Sequence, residues 1–262
     1  ATCLTITPIV KHTISLGHKC DFHSHFVSPT LHLVFQLDDY KLVTLITEIM
    51  EDKKKVIIFD WDGTLVNSQP FQYSSCRQAF ASHGYSLTEK DWEEWVKHSY
   101  SSKRFIEERN LPFDYKSIKS EKKVIYQNML LNEVQFMDGA VETINSLTKI
   151  YPLGIASHST IDDIELVLNK FDMRDRFMKL VSDTSVERGK PFPDVFLKTA
   201  ELMGVSPIEC LVIEDSVAGL QAAKSAGMKC IICPDKYINT PLSEFTNADY
   251  VVSNLREVTK FI

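Results

Sequence analysis

Two carboxylates, Asp60 and Asp62, stand one residue apart directly after the apolar run Val56–Phe59. The run is short and rich in β-branched residues, with Lys53-Lys54-Lys55 before it and the two aspartates after it. Such a run reads as a strand buried on both faces of a parallel sheet. The carboxylates then emerge at the strand's C-terminal edge, where open α/β sheets bind ligands. Paired carboxylates in that position need a cation or a proton to offset them. Gly63 permits a tight turn immediately behind them. The chemistry this predicts is an acidic metal site with a carboxylate free to attack.

Three further groups stand at comparable places. Ser157 closes the apolar run Leu153–Ala156, and a hydroxyl there can hold a phosphate oxygen without adding charge. Lys190 lies in Gly189-Lys190-Pro191-Phe192-Pro193-Asp194, a loop stiffened by its two prolines. Glu214 and Asp215 close Leu211–Ile213, and acids at the end of a buried strand need hydrogen bonds or a cation. Mg²⁺ suits such an oxygen-rich site. Asp60–Leu65 with Asn67-Ser68, Ser157 with its neighbours, Gly189–Asp194 and Glu214–Gly219 resemble, in order, the four motifs of the haloacid dehalogenase superfamily. The resemblance covers residues 56–262.

The resemblance implies a mechanism. Asp60 would be the nucleophile that forms an aspartyl-phosphate. Asp62 would be the acid and base for the leaving oxygen and the hydrolytic water. Lys190 would be the cation between the nucleophile and the phosphoryl oxygens. Gly63, Thr64 and Ser157 are expected to bind substrate, and His158 and Ser159 either face the opening on the helical side and touch substrate or form an exposed polar turn. The resemblance implies Mg²⁺ on Asp60, Asp215 and the main-chain carbonyl of Asp62, with Glu214 either a ligand or a group behind one. Ser216 reads better as a helix cap than as a ligand. An acid/base at Asp62 suits phosphatases and phosphomutases, whereas dehalogenases of this superfamily carry another residue there. Gln72 stands near the place where β-phosphoglucomutase-like members have a histidine, which counts against a mutase. The expected activity is hydrolysis of a small phosphomonoester such as a sugar phosphate, phosphoglycolate or a nucleotide. A phosphotransferase or phosphomutase, and a catalytically silent binding protein of the same fold, are the alternatives.

The elements that must position these groups alternate between strand and helix. Strands are expected at 56–59, 153–157, 177–181, 211–213 and 229–233, with an edge strand at 250–252. Helices are expected at 139–150, 160–171, 193–204, 216–226 and 254–261. The alternation argues an α/β fold: a doubly wound, Rossmann-like parallel sheet core. Between the first two strands only helices are expected, at 71–83, 88–98, 101–109 and 115–131. This stretch resembles the inserted α-helical cap of one subgroup, and Trp92 and Trp95 are read as packing within it. The expected organisation is an N-terminal extension over 1–52, a core over 53–69 and 138–262, and a cap over 70–137.

Composition narrows the partners. The net charge of −6 leaves no basic footprint for a nucleic acid polymer. No apolar run is long enough to cross a bilayer. The expected partner is a small phosphorylated metabolite. Cys210, Cys230 and Cys233 lie in or beside apolar runs, so they read as buried thiols rather than disulfides or a redox pair. That points to a reducing compartment, the cytoplasm. Residues 1–52 carry no clear signal pattern. A strand is expected at 31–37 and a helix at 39–51, and Cys20–His25 holds metal-ligating residue types without a matching second pair.

Overall fold

The computed structural model describes residues 4–6, 14–16, 56–97, 101–237 and 240–262. Within the first unit, Ala1–Asp52, it describes a two-stranded antiparallel ladder. Its strands are β1 (Leu4–Ile6) and β2 (Ile14–Leu16), with Leu4 opposite Leu16. The strand expected at 31–37, the helix expected at 39–51 and the Cys20–His25 group lie outside the described residues.

In the second unit, Lys53–Ile262, six strands form one sheet. They are β3 (Val56–Phe59), β4 (Leu153–Ser157), β5 (Lys179–Ser182), β6 (Cys210–Glu214), β7 (Lys229–Ile232) and β8 (Tyr250–Val251). Their order is β5-β4-β3-β6-β7-β8 and every pairing is parallel. Side chains alternate across the sheet, so one sequence run supplies two cores. Ile57, Phe59, Ile155 and Ile213 face one layer, with Ile144 of α5 (Ala140–Leu147) and Val167 of α6 (Ile161–Lys170). Val56, Ile58, Ala156 and Val212 face the other, with Phe196 of α7 (Asp194–Met203) and Leu220 of α8 (Val217–Ser225). This is the doubly wound architecture, and it explains why the strands carry no polar face.

Four helices fill the described segment between β3 and α5: α1 (Gln69–Ser82), α2 (Glu89–Lys97), α3 (Ser102–Glu108) and α4 (Tyr115–Asn132). At the start of α2, Asp91 N donates to Thr88 Oγ1 at 3.1 Å while Thr88 N donates to Asp91 Oδ2 at 2.9 Å, a reciprocal capping box. These helices have their own core, built on Phe80, Leu87, Trp95, Phe105 and Ile118. Trp92 and Trp95 stack on each other with centroids 5.8 Å apart, and Trp95 packs on Phe105 inside that core.

Two elements differ from the sequence reading. The strand expected at 177–181 runs from Lys179 to Ser182. Phe177 instead follows a 3₁₀ turn and packs edge-on against Phe59, so packing rather than strand pairing fixes its place. The last helix, Leu255–Lys260, is a 3₁₀ helix. Its buried residues Leu255 and Val258 are three apart, which matches the 3₁₀ repeat, and Phe261 N donates to Val258 O at 3.0 Å.

Candidate active site

Parallel register brings the ends of three strands to one edge. Phe59 lies beside Ile155 on β4 and beside Ile213 on β6, and Asp60 N donates to Ile213 O at 2.9 Å. Asp60, Ser157 and Glu214 therefore leave the sheet side by side. Lys190 reaches them from the loop before α7, through a cis peptide to Pro191.

The Lys190 ammonium donates to Asp60 Oδ1 and, at 2.7 Å, to Glu214 Oε1. All of these groups, and Asp215, are buried. Glu214 Oε2 accepts three more hydrogen bonds, from Asp215 N at 2.9 Å, Ser216 N at 2.8 Å and Ser216 Oγ at 2.9 Å. Ser216 Oγ also caps α8 by accepting from Gly219 N at 3.0 Å. A Cβ at Gly219 would collide with the Glu214 carboxylate, so the helix can sit against this acid only through a glycine.

Carboxylate oxygens of Asp60, Glu214 and Asp215 lie within 4.8 Å of one another, with the single ammonium of Lys190 among them. Burial chiefly, with the charges of Glu214 and Asp62 adding to it against Lys190, pushes the Asp60 carboxyl up to about 7. Burial and the charges of Glu214 and Asp60 push Asp215 well above the usual carboxylate range. Burial opposes charge on Glu214 too, but Lys190 and the Ser216 hydrogen bonds hold it below that range. Burial also works against the Lys190 ammonium, and the two carboxylates outweigh it and keep it charged. Three acids around one cation leave excess negative charge, and all the donors are hard oxygens. That donor set fits a hard divalent cation. Gly63 closes the same corner at φ +88°: a Cβ there would stand 2.6 Å from Asp215 Oδ2. Thr64 Oγ1 holds the other Asp215 oxygen at 3.0 Å.

Asp62 faces away from this cluster into a ring of hydroxyls. Ser68 Oγ donates to Oδ1, and Tyr126 of α4 donates to the same oxygen at 3.3 Å. Ser159 Oγ donates to Oδ2 at 2.6 Å and Ser157 Oγ at 3.3 Å. Burial and the Asp62 charge push the Tyr126 phenol far above its usual range, so it stays a donor. The two aspartates thus occupy different surroundings: Asp60 lies against an ammonium and two acids, and Asp62 among neutral donors.

Both open onto a pocket of about 560 Å³ between the sheet edge and the helical bundle. His158 lines it, with Nε2 2.9 Å from Asp183 Oδ2. Burial disfavours the charged imidazole, but the Asp183 carboxylate outweighs it and raises the His158 pKa. Asp183 Oδ2 also accepts from Lys190 N at 3.2 Å, tying the loop after β4 to the lysine loop. Gly63 and Thr64 do not line the pocket; they pack behind it against Asp215.

Comparison with protein-family models gives a match over most of the chain. The model for haloacid dehalogenase-like hydrolase matches residues 57–233, from the first sheet strand through β7 and across all four motifs. The chain belongs to the haloacid dehalogenase-like hydrolases. Its relatives include fructose-1-phosphate phosphatase YqaB of Escherichia coli (strain K12), 28% identical over 70% of this chain and 97% of that protein. Hexitol phosphatase B of the same organism is 41% identical over 41% of this chain and 48% of that protein. The crystal structure of CbbY from Rhodobacter sphaeroides in complex with phosphate superposes with a TM-score of 0.69, covering 78% of this chain and 96% of that one at 24% identity.

Within this haloacid dehalogenase-like fold, three site residues carry no role in the sequence reading. Ser68 stands at the end of the first motif, but its contact with Asp62 depends on how the chain turns into α1. Tyr126 sits among apolar residues of a helix and reads as packing. Asp183 follows a strand and reads as a turn residue. Tyr126 and Asp183 acquire their contacts with Asp62 and His158 only when distant segments fold together.

Proposed function

We propose that the chain is a Mg²⁺-dependent phosphatase that hydrolyses a small phosphomonoester through an aspartyl-phosphate. The observation that carries this reading is the division of labour between Asp60, held on Lys190 in the acidic cluster, and Asp62, held apart among four hydroxyls. The phosphatase names of YqaB and hexitol phosphatase B support the same reaction class. Asp60, Asp215 and the Asp62 carbonyl would hold the ion, which neutralises phosphoryl charge when bound. Glu214 serves behind them, because both its oxygens are already engaged by Lys190, Ser216 and main-chain amides.

Asp60 attacks phosphorus as the bond to the leaving oxygen breaks, and Asp62 gives that oxygen its proton. Asp62 then takes a proton from the water that attacks the aspartyl-phosphate, releasing inorganic phosphate and restoring Asp60. Lys190 balances the charge gathering on the phosphoryl oxygens. Ser157 and His158 receive the substrate from the β4 side. Residues 70–137 act as a cap over a core made of 53–69 and 138–262, opening for substrate and excluding water when closed. Gln72 lines the pocket where a mutase needs a titratable group, and its amide oxygen is held by Lys122 Nζ at 3.1 Å, which favours water as the acceptor. The thiols of Cys76, Cys230 and Cys233, none of them in a disulfide, suit a reducing compartment such as the cytoplasm.

The test is phosphate release from a panel of sugar phosphates, phosphoglycolate and nucleoside monophosphates, with Mg²⁺ and with EDTA. Turnover of at least one ester in Mg²⁺ and none in EDTA is expected. Transfer to an added sugar in place of water would overturn the hydrolase in favour of a phosphotransferase.

A further inference from the structure

One face of α4 lines the same pocket as the acidic cluster. Lys119, Lys122, Lys123 and Tyr126 all line the pocket, at positions i, i+3, i+4 and i+7 of that helix. Tyr126 is anchored on Asp62, so the stripe starts at the reaction centre and climbs away from it. At 1.5 Å per residue, Lys122 lies about 6 Å and Lys119 about 10 Å up the helix axis from Tyr126.

The charges of the stripe are unevenly used. Lys123 is paired with Asp162 at 3.2 Å. The half-buried Lys122 has neutral partners: the Gln72 amide oxygen and the buried Cys76 thiol. Lys119 has no hydrogen-bond or ion-pair partner among the described residues. Asp163, which also lines the pocket, accepts from Gln127 Nε2 at 2.8 Å and Thr160 Oγ1 at 2.7 Å and makes no ion pair with Lys119 or Lys122 among the described residues. The pocket is therefore bipolar. Its floor takes the phosphoryl group, and its helical wall holds two ammonium groups, Lys119 and Lys122, with no ion-pair partner among the described residues.

We infer that the substrate carries a second anionic group, which Lys119 and Lys122 bind at the far end of the pocket from Asp60. This rests on the phosphatase reading and narrows its substrate class. The spacing suits a phosphomonoester on a chain of a few carbons that ends in a second phosphate or a carboxylate. A neutral sugar phosphate would leave both ammonium groups facing solvent inside the pocket, without the attraction that a doubly anionic ligand gains there. Gln72 has a part in this: an acid in its place would neutralise Lys122, whereas its amide holds the ammonium in position and leaves its charge available.

The test uses the full chain with Mg²⁺ and two matched pairs: fructose 1,6-bisphosphate against fructose 1-phosphate, and 3-phosphoglycerate against glycerol 3-phosphate. The wild type should favour the doubly anionic member of at least one pair by about tenfold or more in kcat/KM, and the preference should shrink with added salt. The pair that responds separates a second phosphate from a carboxylate. Lys119→Met and Lys122→Met should each reduce that preference several-fold, and together abolish it. Lys119 is exposed, so its variant reads the effect even where Lys122→Met fails to fold. A wild type with no preference in either pair, or variants that keep the preference, would overturn the inference. Binding of the same four compounds to Asp60→Asn with Mg²⁺, by calorimetry, gives the preference without turnover. Inert esters with a preserved binding preference would sink the phosphatase reading alone.

Discussion

The Tyr126 hydroxyl, on the longest helix of the bundle, lies 3.3 Å from Asp62 Oδ1, on the loop after the central strand. One hydrogen bond thus joins the helical insertion to the carboxylate proposed as acid and base. A hydrogen bond to a charged group contributes about 1.5–3 kcal/mol, and Asp62 receives four. Tyr126→Phe should keep the fold, since the ring is buried, and lower kcat by about three- to tenfold. Ser159→Ala, which removes the 2.6 Å contact, should cost more, about ten- to a hundredfold. Both losses should be larger for poor leaving groups than for p-nitrophenyl phosphate. Equal losses on both would show that the hydroxyls do not act through proton transfer.

The two aspartates should separate in a phosphoenzyme trap. Asp60→Asn should abolish turnover and covalent phosphate together, because an amide is a poor nucleophile. Asp62→Asn should still form some phosphoenzyme from an ester with a good leaving group, and hydrolyse it slowly. Acid quenching in excess Mg²⁺ reads both. A covalent adduct on Asp60→Asn would reassign the nucleophile.

Lys190→Met should leave Asp60 and Glu214 buried without their cation. Removing one partner of a buried pair costs about 3–5 kcal/mol. The loss should show in urea unfolding of the metal-free protein near pH 7 and shrink near pH 5, where the orphaned carboxylates protonate. A loss independent of pH would mean that packing of the lysine stem, not charge, holds this corner.

Mg²⁺ binding should be linked to protons. Asp60 titrates near 7 in the folded, metal-free chain, against about 3.9 in an unfolded one. Between those values the native state holds a proton that the unfolded chain has lost. The metal-free protein should therefore lose stability as pH rises from about 4 to about 7. Mg²⁺ must displace that proton, so its affinity should weaken as pH falls below about 7. Proton release on adding Mg²⁺ should be greater near pH 6 than near pH 8. Equal release at both would show that Asp60 is ionised before the ion arrives.

The strands and the order of the site's parts were legible in the sequence because they depend on local chemistry. Val56–Phe59 and Leu211–Ile213 are apolar without interruption, and only a strand covered on both faces needs that. Asp60, Lys190, Glu214 and Asp215 stand at strand ends or in a proline-stiffened loop, so their convergence follows once the sheet is parallel. Phe177 was not legible, because whether an apolar residue joins a ladder or packs beside one depends on its neighbour across the sheet, here Phe59. Tyr126 and Asp183 were not legible either. Their side chains suit packing or a turn equally well, and it is the fold that sets them against Asp62 and Lys190. The lysines of α4 carry no role in the sequence reading. Only the docking of that helix over the sheet edge turns Lys119, Lys122 and Lys123 toward the pocket, because a charge becomes a binding group through what faces it.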